Sequence, residues 1–218
     1  IMDNNERYNK AVKIENEELF RYGMDTNVGN AFVYGDLEAV DTVTFPEIGG
    51  EYIFCEKVEE RYERHEEEVT KTDSDGNEYT ETEVYYEWET ENEESLHAKE
   101  IEFCGSIFPY GKIDLPHSKH IKTIPGDKVY SWKSGESVKV RFVYYGVSTK
   151  YKGSIFANLK DGTIPDGTSF YKDYTLEDIV KRFETHGTVF LILFWIFWIG
   201  LIGAVVYGFY YFDNEWLE

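Results

Sequence analysis

Residues 52–91 read YIFCEKVEERYERHEEEVTKTDSDGNEYTETEVYYEWETE, and the parity of this stretch decides the fold. Tyr52, Phe54, Val58 and Tyr62 share one parity while charged residues dominate the other, which predicts a strand with one apolar and one wet face. After Asp73-Ser74-Asp75-Gly76-Asn77 the returning arm repeats the rule with Val84, Tyr86 and Trp88. Pairing Thr72 with Glu78 sets Tyr62 opposite Trp88 and makes the two apolar faces coincide; a slip of one residue would destroy the match. The stretch therefore predicts a long antiparallel hairpin with Tyr62 and Trp88 in its apolar heart. Its outward face sets Glu59, Arg61 and Glu63 against Glu83, Glu87 and Glu89. Arg–Glu pairs there contribute at most about 1 kcal/mol each, and the charges keep a long ribbon from recruiting neighbouring strands.

Working outward, residues 28–45 resemble short strands interrupted by Gly35 and closed by Pro46. Further strands are expected at 100–104, 128–132, 138–147 and 154–159, separated by Gly- and Pro-rich turns. Residues 3–20 are polar with weak helical periodicity. Thr175, with Asp178 three residues on, reads as the N-cap of a short juxtamembrane helix through about residue 185. Leu176, Ile179, Val180 and Phe183 form its apolar face.

From 187 to 212 the sequence is GTVFLILFWIFWIGLIGAVVYGFYYF, without one formal charge. At a rise of about 1.5 Å per residue such a run covers a hydrocarbon core of roughly 30 Å, and it shows no polar face. It reads as a transmembrane helix, joined to the short helix across His186-Gly187. Gly200, Ala204 and Gly208 recur every fourth residue and mark a stripe on which a second helix could pack closely. Tyr207, Tyr210 and Tyr211 resemble an interfacial belt. The expected division is a polar, partly helical segment 1–27, an acidic β-rich domain 28–172, the short helix 173–187, the span 188–212 and a tail 213–218.

Composition agrees with a folded domain plus an anchor. Of 218 residues, 17% are aromatic, enough for a real core despite a net charge of −20. The charge is uneven: residues 56–102 hold 19 acidic and 5 basic side chains, residues 105–172 hold 11 basic and 5 acidic. So acidic a chain argues against nucleic-acid binding. Asp73-x-Asp75-Gly76 has its glycine fourth, not sixth as a calcium loop requires, and reads as a hairpin turn. His117 and His120 lack the further ligands a metal needs. Cys55 and Cys104 read as buried thiols or as a bridge. No nucleophile elbow, phosphate loop, dinucleotide fingerprint or zinc-protease helix occurs, so neither an enzyme nor a cofactor is expected.

The order of features resembles the LUMA family, the transmembrane protein forty-three-like proteins, over residues 28–200. The likeness rests on Val28-Gly29-Asn30, Gly35-Asp36-Leu37, the hairpin from Cys55-Glu56-Lys57-Val58-Glu59 to Glu87-Trp88-Glu89-Thr90-Glu91, the strand 138–147, and Leu176-Glu177-Asp178-Ile179-Val180. It implies a membrane scaffold with a first helix, a non-cytosolic domain and later helices, self-associating and binding other membrane proteins. It carries over no site residues. The sequence, beginning Ile1-Met2, holds one of those helices. The resemblance implies an extracytoplasmic or lumenal β domain, whereas Lys172, Lys181 and Arg182 before the span and Asp213, Glu215 and Glu218 after it favour a cytosolic one. The functional expectation is a non-catalytic membrane protein that assembles with itself or with other membrane subunits. A sensor or gating subunit of a channel, pore or bacterial defence system is the rival, and a membrane-bound enzyme the weakest alternative.

Overall fold

The structure, a computed structural model, describes residue 8 and residues 10–215, with side chains throughout except those of 184–192, 206 and 208–215. It is mainly β, with eleven strands and two helices among the described residues. The chain forms two interleaved compact units, residues 1–36, 112–114 and 152–218 in one and 37–111 and 115–151 in the other. The β-rich domain expected at 28–172 contains all of 37–111 and 115–151 together with part of the other unit. Chain crossings at 36/37 and 151/152 leave no signal in local composition.

In the first unit, β1 (Val12–Ile14) runs parallel to the start of β2 (Gly29–Ala39), with Val12 opposite Ala31. Between them α1 (Glu17–Asp25) starts on Asn16, whose Oδ1 accepts from the Glu18 and Leu19 amides at 2.7 and 3.3 Å. Strand β10 (Lys150–Leu159) pairs antiparallel with β11 (Thr168–Lys172), and β11 pairs parallel with β7 (Ile113–Asp114). Gly153 permits the β10–β11 approach, because a Cβ there would collide with the Tyr171 carbonyl oxygen. Helix α2 (Leu176–Glu215) closes this unit by burying Leu176 and Ile179 against Phe32, with Tyr8, Phe156, Tyr171 and Phe183 packed around them.

The second unit is dominated by a four-stranded antiparallel sheet. Its order is β4 (Glu78–His97), β3 (Tyr52–Thr72), β9 (Ser137–Ser148), β8 (Lys119–Tyr130). The short strands β5 (Glu100–Phe103) and β6 (Ser106–Pro109) pair with each other, and β5 pairs with the end of β2. The hairpin register is the one expected: Thr72 faces Glu78, and Tyr62 faces Trp88. A bulge between Glu59 and Glu60 skips Glu91, so β4 changes face there while β3 does not.

Several expectations need correction. Tyr62 and Trp88 are only half-buried, and near the hairpin base Ile53 and Cys55, of the opposite parity, are fully buried. The reason is that β9 flanks β3 only as far as Arg61. There both sheet faces are buried: Phe45 and Tyr144 pack beside Cys55 on one, and the cross-strand pair Val58 and Val143 is buried on the other. Farther out β3 has only β4 beside it. Gly35 does not interrupt β2, which runs unbroken from Gly29 to Ala39. The capping helix does not end near residue 185. Residues 185–188 contain no proline, and one internal glycine costs only about 1 kcal/mol, so the helix continues through His186-Gly187 to Glu215. One expectation holds: Cys55 and Cys104 are separate buried thiols and form no disulfide.

Candidate functional site

The outer half of the hairpin gathers ionisable side chains on one face. Register puts Arg61 opposite Glu89, Glu63 opposite Glu87 and His65 opposite Tyr85. Strand alternation then sets Glu63, His65, Glu87 and Glu89 on the same side. The turn between β8 and β9 caps this face. Ser131 accepts the Gly135 amide on its carbonyl and donates its own amide to the Glu136 carbonyl, at 2.9 and 2.8 Å, which fixes the loop. Its hydroxyl, and that of Ser134, donate to Glu63 Oε2 at 2.7 and 3.1 Å. Glu63 is thereby 1% exposed, yet its Oε1 has no hydrogen-bond partner. The face read from sequence as wholly wet thus contains a buried carboxylate.

Beside it, His65 stacks on Tyr85 with centroids 5.1 Å apart and 17° between planes. Its Nε2 stands 3.0 Å from Glu89 Oε1 and 3.6 Å from Glu87 Oε1. That nitrogen is enclosed and lies at an angle that makes no hydrogen bond. Lys133 from the capping turn reaches Glu89 Oε2 at 2.8 Å. The ammonium holds the Glu89 carboxyl below its ordinary range, with His65 adding to the effect, and Glu89 in turn raises Lys133. Arg61 is engaged by Glu59 at 2.9 Å and Glu91 at 3.4 Å. Among the described residues, His65, Glu87 and Glu89 form the one group of three side chains placed to share a metal ion.

The opposite face carries the aromatic pair. Tyr62 and Trp88 have ring centroids 5.1 Å apart, Tyr86 stacks on Tyr62 at 5.6 Å, and the Arg141 guanidinium lies 4.0 Å over Trp88 while pairing with Glu60. This is a packed ladder that uses Arg141 as its lid. At the hairpin tip, Asp73 Oδ1 accepts the Asp75 and Asn77 amides at 2.9 and 2.8 Å. Gly76 has φ 86°, so the tip is a turn whose carboxylate is already used. His120 pairs with Thr123 Oγ1 at 2.8 Å. In the first unit, a cavity of about 330 Å³ is lined by Phe156, Asn158, Asp166, Thr168, Tyr171 and Phe183, and Asp166 pairs with Lys112.

Helix α2 carries a second candidate surface. The described side chains of its apolar run, 193–205 and 207, are exposed on every face, with Trp195 62%, Ile196 60% and Phe197 64% accessible. Around Gly200 a Cβ would meet nothing within 4 Å, and Ala204 is exposed. The surroundings of Gly208 lie outside the described residues. Among the described residues no helix is long and apolar enough to cross a membrane. The expected span 188–212 falls partly outside them, since the side chains of 188–192, 206 and 208–212 are not described.

Sequence reasoning missed His65, Glu87 and Glu89 as a group. The signal was present: once Thr72 faces Glu78, His65 lies diagonal to Glu87 on one face. The burial of Glu63 had no such signal, because it depends on two serines 68 and 71 residues away. No family model matches the chain, and neither a curated protein nor a solved structure does.

Proposed function

We propose that the chain is a membrane-anchored assembly protein, with α2 crossing the bilayer and the β-rich part serving as the recognition surface. One observation carries the reading. Thirteen consecutive residues, 193–205, are exposed around the whole circumference of α2. A helix apolar on all sides needs lipid or protein around it, and a contiguous exposed surface of this kind marks a membrane or partner contact. The open surroundings of Gly200 suit close approach of a second helix through Gly200, Ala204 and Gly208. The resemblance to the LUMA family supports the same role and an extracytoplasmic or lumenal β domain.

The test is the native mass and composition of the tagged full chain after extraction in mild detergent. A defined homo-oligomer or a stoichiometric second membrane polypeptide supports the reading. A monomer without companions contradicts it.

A further inference from the structure

We propose that His65, Glu87 and Glu89 bind a divalent first-row transition ion, with zinc as the reference occupant, beneath the turn that joins β8 to β9. Two donors each about 2.0–2.2 Å from a metal, at octahedral to tetrahedral angles, stand roughly 3–3.6 Å apart. His65 Nε2 lies 3.0 Å from Glu89 Oε1 and 3.6 Å from Glu87 Oε1. Both spacings fall within that range, and the three donor atoms all lie within 4.8 Å of one another.

A second observation points the same way. Glu63 is 1% exposed with Oε1 unpartnered, and it stands opposite Glu87 and two residues before His65 on the same face. A buried carboxylate oxygen without a donor is costly, and so is an enclosed imidazole nitrogen turned toward two carboxylates. A cation held by His65, Glu87 and Glu89 gives the enclosed nitrogen a partner, and its charge offsets that of Glu63, which lies on the same face outside the ligand group. Lys133 supplies one positive charge, to Glu89 Oε2, against the carboxylates of Glu63, Glu87 and Glu89. Arg61 is engaged elsewhere by Glu59 and Glu91.

The donor set fixes the class of ion. One imidazole with two carboxylates suits zinc and its first-row neighbours better than calcium or magnesium, which take all-oxygen shells. Glu87, at 56% side-chain exposure, leaves the site open to solvent for entry. Binding joins His65 of β3 to Glu87 and Glu89 of β4, where only two strands pair. A two-stranded ribbon is marginally stable in water by itself, so the ion would act as a staple along the arm.

The full chain in mild detergent, stripped with a chelator and dialysed, is titrated with ZnCl₂ by calorimetry and with Co²⁺ by visible absorption. The expected result is one ion per chain, bound at least tenfold more weakly in His65→Gln and in Glu89→Gln. Glu87→Gln changes only an exposed side chain, so its weaker binding cannot be ascribed to misfolding. Lys133→Ala frees Glu89 Oε2 and should tighten binding. Absence of stoichiometric uptake by the native chain, or uptake unchanged in both His65→Gln and Glu87→Gln, overturns the site.

Discussion

The early and late turns of α2 are both apolar, but they are apolar in different ways. Over its first turns, Leu176 and Ile179 are buried against Phe32 while Glu177, Asp178 and Lys181 face out. Thr175 caps the start: its hydroxyl and amide donate to Asp178 Oδ2 at 2.7 and 3.1 Å, and the Asp178 amide donates back to Thr175 Oγ1 at 3.3 Å. Farther along, Leu193 to Val205 show no polar face, and the large side chains among them are more than 40% exposed. One secondary structure therefore carries two packing instructions. A one-sided stripe docks a helix on protein; an apolar circumference asks for a medium that is apolar all around.

Substitutions in the two regions should separate in kind. Ile179→Ala removes a fully buried side chain and should cost about 2–5 kcal/mol, read as a lower denaturation midpoint of the β-rich part. An unchanged midpoint would break the distinction between docked and undocked turns. Replacing Gly200, Ala204 and Gly208 with Leu should leave that midpoint alone and weaken association in detergent at least tenfold, about 1.4 kcal/mol. Undiminished association would remove the helix seam. Thr175→Ala loses the cap and should cost about 1 kcal/mol, again read in the midpoint of the β-rich part.

The smallest effect is one of pH. Hydrogen bonds from Thr175 hold the Asp178 carboxyl below the ordinary aspartate value of 3.8. A carboxyl depressed on folding stabilises above its unfolded value, and that stabilisation is lost as pH falls through the folded one. The stability difference between the native chain and Asp178→Asn should therefore be constant from neutral pH down to about 4 and shrink below it. A difference that grew on acidification would contradict the capping geometry.

How much of this was legible in the sequence varies by element, for physical reasons. The hairpin register followed from Thr72, the Asp-Gly turn and the match of Tyr62 with Trp88, because local turn chemistry and side-chain parity fix it together. The N-cap at Thr175 and the turn at Asp73 are equally local. Which hairpin face is buried was misread, since burial is decided by partners distant in sequence. Tyr144 and Phe45 cover Cys55, and Ser131 and Ser134 enclose Glu63. The continuity of α2 through His186-Gly187 was lost by treating a change of composition as a break in backbone. The His65 cluster could have been drawn from the register alone, but its enclosure could not.

The most direct test of the central claim is extraction of native membranes containing the tagged full chain with alkaline carbonate. The account predicts that the protein stays in the sedimented bilayers and is released only by detergent. Release into the carbonate supernatant would mean that α2 does not span the bilayer, and the anchored-assembly reading would fall with it.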